Sequence, residues 1–161
     1  MTSSSKASSS ISSDPAGKVA CEIREAQPQD YARIAELAGQ LSYPSSPGEI
    51  ATRLAGMKHS YEHAVFVALL GGEVAGWLGI YICRTVEADP RAEIGGLVVD
   101  ERCRSQRIGF HLLERAERWA REKACRAIGL RSNVIRDRAH AFYERQGYKH
   151  TKTQKSFGKD L

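Results

Sequence analysis

R-A-E-I-G-G-L-V-V-D-E-R-C-R-S-Q-R-I-G-F-H-L-L-E-R-A-E-R-W, residues Arg91–Trp119, begins as an apolar strand, passes a polar turn and becomes an amphipathic helix. The strand core is Ile94–Val99, and the paired Gly95 and Gly96 inside it predict a bulge or a close backbone approach. The helix is predicted over about 106–123, with Ile108, Leu112, Leu113, Ala116, Trp119 and Ala120 on its buried face. Glu114–Arg118 and Glu117–Arg121 fall at i,i+4 spacing on its wet face. Between strand and helix lies Arg104-Ser105-Gln106-Arg107-Ile108-Gly109-Phe110. A helix that starts there aims unpaired N–H groups and the positive end of its dipole into the turn. That geometry suits a phosphate, and arginines strengthen it.

Outward from this stretch, the pattern predicts one domain. Residues 1–18 are Ser-rich with almost no large apolar side chain, which predicts a disordered tail, and 19–161 hold the fold. Val19–Glu25 reads as a first strand. Pro28 suits a helix start, and Tyr31, Ile34, Leu37 and Leu41 follow at helical spacing until Pro44. Ser46-Pro47-Gly48-Glu49 is a capping box opening a second helix, with Ile50, Leu54 and Met57 as its stripe. Ala64–Leu70 and Val74–Cys83 are strands joined by Gly71-Gly72, a hairpin signal. Both are apolar on both faces, so helices should cover the sheet on each side.

Beyond the long helix, Ala127–Arg131 reads as a strand parallel to Ile94–Val99, because strand, helix and strand follow in quick succession. A helix over about 136–146 stops at Gly147, and Tyr148–Thr151 with Lys155–Phe157 predict a closing hairpin. The predicted order is β-α-α-β-β-β-α-β-α-β-β, a mixed α+β sheet with helices on both faces.

Composition narrows the function. The four cysteines are scattered without C-x-x-C spacing, which argues against a zinc site or disulfide framework and fits a reducing cytoplasm. His59, His63 and His150 show no metal-ligand spacing, so no metal is expected. No apolar run is long enough for a bilayer, so no membrane partner is expected. The net charge of +5 permits a nucleic-acid partner. Yet no aromatic residues interleave the arginine cluster as base stacking requires, and a phosphorylated cofactor explains the arginines more economically.

These motifs resemble the acetyl-CoA-binding core of the GNAT (Gcn5-related) N-acetyltransferases, over roughly residue 19 to the C-terminus. The family turn reads Arg/Gln-x-x-Gly-x-Gly/Ala; Arg104 and Gly109 match its ends, and Arg107 stands where the middle glycine is usual. A side chain there either crowds the backbone approach to pyrophosphate or adds a cation to it. The family's last helix ends Tyr-x-x-x-Gly-Phe/Tyr, matched by Tyr143, Gly147 and Tyr148.

The resemblance implies a fold with a mostly antiparallel sheet, its central parallel pair splayed by a bulge. It implies acetyl-CoA as cosubstrate, with Arg104 to Phe110 on the pyrophosphate and the backbone of Leu97, Val98 and Val99 on the pantetheine arm. Tyr143 is implied as general acid, since a phenol of pKa about 10 can protonate a thiolate whose conjugate acid is near about 8.5. Its other reading is a packed core tyrosine. Glu93 is implied as the base acting through water, or is a strand-end charge. Arg136 stands where relatives carry an asparagine and reads as a cofactor contact or a solvated charge; Asn133 reads as a contact or a turn residue. His140 reads as a base or a capping residue, and His111 as structural.

The expected reaction is acetyl transfer to a primary amine by direct transfer in a ternary complex, on a small-molecule or peptide acceptor. The loop between the first two helices would border the acceptor. A homodimer is common in the family. Two other classes stay open: a module that holds CoA without transfer, and a basic nucleic-acid-associated protein.

Overall fold

Five strands form one sheet in the order β1-β2-β3-β4-β5, and four helices pack on its two faces in the computed structural model, which describes residues 20–161. The expected Ser-rich tail and Val19 lie outside the described residues. The strands are β1 (Cys21–Glu25), β2 (His63–Leu70), β3 (Glu73–Cys83), β4 (Arg91–Val99) and β5 (Ile128–Leu130). The helices are α1 (Tyr31–Gln40), α2 (Pro47–Met57), α3 (Ile108–Glu122) and α4 (Asp137–Arg145). Pairing is antiparallel from β1 to β4 and parallel between β4 and β5, as the strand–helix–strand succession requires.

Local chemistry starts each element where the sequence indicates. Gly71 and Gly72 both adopt positive φ, +61° and +86°, and so close the β2–β3 hairpin with the twist its strands demand. Ser46 caps α2 with Pro47 at the first helical position, and the Glu49 carboxylate accepts from the Ser46 N–H at 2.8 Å. Before α1, Asp30 is buried and accepts two bonds from Arg24 of β1, at 2.6 and 2.9 Å. Burial alone would raise the Asp30 carboxyl, but the Arg24 guanidinium and the Gln27 N–H hold it below its ordinary value.

The sheet alternates between two cores. Phe66, Leu78, Ile80, Ala92 and Ile94 face α3, where they meet Ile108, Leu112, Leu113, Ala116 and Trp119. Val67, Val74 and Val98 face α1 and α2, against Ile34, Leu37 and Ile50. Helices therefore cover both faces. All six α3 residues assigned to its buried side are buried.

Three features differ from expectation. The α3 helix begins at Ile108, two residues later than its periodicity suggests, because Ser105 and Arg107 hold positive φ, +68° and +61°. Glu114 pairs with His111 at 3.2 Å instead of Arg118, whereas the Glu117–Arg121 pair forms at 3.2 Å. The closing hairpin is absent: no described residue after α4 is in a strand. Residues 149–161 hold only two large apolar side chains, Phe157 and Leu161, both fully exposed, so this segment has no apolar face to bury against the sheet.

Candidate active site

The site forms where β4 and β5 part. Their parallel register runs Ala92↔Ile128, Glu93↔Gly129 and Ile94↔Leu130, and then ends. Beyond Ile94, β4 keeps its pairing to β3 but has no strand on its other edge among the described residues. At that point the β3–β4 register slips: Ile80 pairs Ile94 while Gly79 pairs Gly96, leaving Gly95 as the extra residue of a bulge. The glycine pair thus bends the central strand away from β5. Leu97, Val98 and Val99 follow with their side chains in the two cores and their free edge toward the opening.

The same opening faces the start of α3. Its first helical bond runs from the His111 N–H to the Arg107 carbonyl at 3.1 Å, so the amides of Ile108, Gly109 and Phe110 have no backbone acceptor among the described residues. Arg104, Ser105, Gln106 and Arg107 are exposed around them, while the Ile108 side chain is buried. Arg107 occupies the left-handed region that favours glycine, and its guanidinium lies 4.5 Å from the Phe110 ring centroid. Gly109 has a packing reason: a Cβ there would stand 3.1 Å from Cζ of Phe142 in α4.

Asp100 anchors this turn from below. It is almost wholly buried, accepts from the Arg102 backbone at 3.0 Å and from Arg102 Nη2 at 2.8 Å, and also pairs with Arg33 of α1. The Arg102 hydrogen bonds hold its carboxyl far below the usual carboxylate range, against the opposing effect of burial. Sequence reading passed over Asp100, because a lone acid after a strand looks like a surface charge.

Glu93 is buried at 3% exposure, with Oε2 3.0 Å from Arg91 Nη2 and Oε1 3.1 Å from Arg131 Nε. Across the sheet it sits beside Tyr81, which in turn pairs with His63, and those two rings lie 6.0 Å apart. Burial first, and then the Glu93 carboxylate, push the Tyr81 phenol upward. Gly95 is exposed although it lies within a central strand, and a Cβ on it would meet the Tyr81 ring at 3.5 Å. The result is a bare patch of backbone walled by Tyr81 and Glu93, beside the splayed edge. Tyr81, His63 and Arg131 were not legible as site residues, since only the sheet register brings them to Glu93.

On the other flank, Tyr143 of α4 is largely buried against the α3 core, with Phe142 and Tyr148 rings at 5.3 and 6.0 Å. Burial pushes its phenol above the ordinary value, and Arg136 pulls weakly the other way. The phenol is therefore protonated across neutral pH. Arg136 donates to the Leu41 carbonyl at 3.0 Å, tying the start of α4 to the end of α1. Asn133 makes a local turn, accepting from the Ile135 N–H at 3.2 Å, while His140 caps that turn at the Asn133 carbonyl, 3.0 Å away. No helix among the described residues is long and apolar enough to cross a membrane.

Comparison with known proteins bears directly on this arrangement. The model of the acetyltransferase (GNAT) family matches residues 24–148. An aminoalkylphosphonate N-acetyltransferase of Salmonella typhimurium is 36% identical over 135 residues, covering 80% of this chain and 85% of the relative. Among solved structures, a transcriptional regulator from Bacillus halodurans superposes with a TM-score of 0.74 at 27% identity, over 86% of this chain and 100% of the other. An aminoglycoside N-acetyltransferase in complex with CoA has a TM-score of 0.80 at 18% identity, covering 92% and 99%.

Proposed function

The chain belongs to the GNAT acetyltransferase family and is an N-acetyltransferase, and from that premise we propose that it moves an acetyl group from acetyl-CoA directly to the primary amine of a small acceptor within a ternary complex. The observation that carries this reading is the meeting of two unpaired surfaces at one opening: the amides at the start of α3 and the free edge of β4.

The chain's residues fit such a cosubstrate. The amides of Ile108, Gly109 and Phe110, with Arg104, Ser105, Gln106 and Arg107, supply donors and positive charge for a pyrophosphate. The backbone edge of Leu97, Val98 and Val99 supplies strand-like hydrogen bonds for an extended amide arm. Acetyl-CoA supplies the activated acyl group, and the C–S bond breaks as the new C–N bond forms. Glu93, through water, accepts the proton that the acceptor's ammonium must lose before its nitrogen can attack the thioester carbonyl. Tyr143 donates its phenolic proton to the departing thiolate. Asn133 shapes the β5–α4 turn, and Arg136 fixes the α1 end on the acceptor side. A cytoplasmic location accords with this cosubstrate.

The Salmonella relative's name gives the first acceptor to try, an aminoalkylphosphonate. The test is calorimetric titration with acetyl-CoA, followed by measurement of CoA release on adding 2-aminoethylphosphonate. Micromolar binding and amine-dependent release are expected. Tyr143→Phe should lower kcat about 100-fold or more while leaving the acetyl-CoA Kd within about two-fold. Binding without release from any amine would leave a CoA-holding module and sink the enzymatic mechanism.

A further inference from the structure

The acceptor end of the site has an electrostatic character that bears on which amine it takes. Glu93 is one carboxylate between two guanidinium groups, so the Arg91–Glu93–Arg131 cluster carries one surplus positive charge. An acceptor amine arrives largely protonated at neutral pH, so a net positive cluster disfavours a simple amine and disfavours a polycation more. An amine that carries its own anion is favoured instead.

The structure also shows which group could receive that anion. Arg131 follows Leu130, the last β5 residue paired to β4, and so stands level with the exposed Gly95 at the point of splay. Its closest approach to Glu93 is through Nε, its side chain is 74% exposed, and its two terminal nitrogens donate no hydrogen bond among the described residues. Those nitrogens form a planar fork suited to two oxygens of one oxyanion. Arg91, on the other Glu93 oxygen, keeps the carboxylate in place when Arg131 takes a second partner.

We propose that Arg131 is a specificity-determining residue that binds an anionic group on the acceptor, making this site selective for short zwitterionic amines such as aminoalkylphosphonates over uncharged-tail and polycationic amines. The proposal rests on the acetyl-transfer reading above.

The experiment compares kcat/KM for 2-aminoethylphosphonate, propylamine and spermidine in the wild-type protein and in Arg131→Gln and Arg131→Lys. The wild type should prefer the phosphonate. Arg131→Gln should reduce the phosphonate-to-propylamine preference about 10- to 100-fold, mostly through the phosphonate KM, with Arg131→Lys retaining part of it. A purely structural role for Arg131 would lower both amines alike and leave the ratio unchanged, which overturns the proposal. Wild-type activity that is equal or greater on propylamine or spermidine overturns it too, with acetyl transfer itself standing. Acetyl-CoA binding without transfer to any of the three would instead remove the underlying reading, and this proposal with it.

Discussion

Arg107 sits at φ +61° and ψ +13°, a conformation that costs an L-residue roughly 1 kcal/mol or more and glycine almost nothing. The chain thus adopts the backbone of a glycine turn while carrying a cation at the N-cap of α3. The turn is not closed by the substitution, because the side chain turns aside onto Phe110. Comparing two truncations isolates the backbone effect, since both lose the guanidinium. Arg107→Gly should be more stable than Arg107→Ala by about 1 kcal/mol, or about 2–4 °C in Tm, the reverse of the usual order in a helix. Thermal melts of the two variants decide it, and a higher Tm for Arg107→Ala would refute the left-handed assignment. At this scale Tyr143 and the 104–110 turn stand out in the sequence because each sits in a motif with fixed offsets, and Glu93 because it opens the central strand. Arg131 was not, as its meaning comes from a carboxylate 38 positions upstream that only parallel pairing brings near.

Elements meet the site through Asp100, the buried residue that joins the end of β4 to α1 by Arg33 and to the start of the turn before α3 by Arg102. Its folded-state carboxyl titrates below its unfolded value of about 3.9, so its contribution is fully present above that pH. As pH falls through the lowered folded-state value, protonation removes it. Asp100→Asn should therefore destabilise the protein by about 3 kcal/mol at neutral pH and flatten the stability profile below about pH 4. Chemical denaturation at pH 7 and pH 3 provides the check; an equally steep acid limb in the variant would mean that other carboxylates govern acid unfolding. The element pattern itself was readable almost throughout, since capping box, hairpin glycines and heptad-like spacing are local. The closing hairpin failed for want of something to pack on: a strand needs an apolar face, and residues 149–161 offer none that is buried.

Across the whole molecule, the opening between β4 and β5 is a wedge in an otherwise continuous sheet, roofed by α3 on one flank and by α1 and α2 on the other face. A cosubstrate seated there would replace the missing strand contacts and bridge β4 to α3. Binding to the folded state alone at about 100 times Kd adds about 2.7 kcal/mol, so acetyl-CoA should raise Tm by roughly 5–10 °C. A thermal shift measured with acetyl-CoA and with free adenine as control tests this. No shift with acetyl-CoA at millimolar concentration would argue that the wedge does not bind it.

The sequence by itself determined the elements and their order as far as α4, the parallel β4–β5 pair and the position of the turn that opens α3. These depend on short-range physics: side-chain periodicity, capping, backbone φ at glycines, and the close succession of strand, helix and strand. Only the tertiary structure decided what surrounds Glu93, what anchors the turn and where Arg136 goes. Each of those answers depends on register between distant strands or on a contact across the sheet, such as Arg136 with Leu41. A one-residue bulge at Gly95 shifts that register, and with it the identity of every cross-strand neighbour.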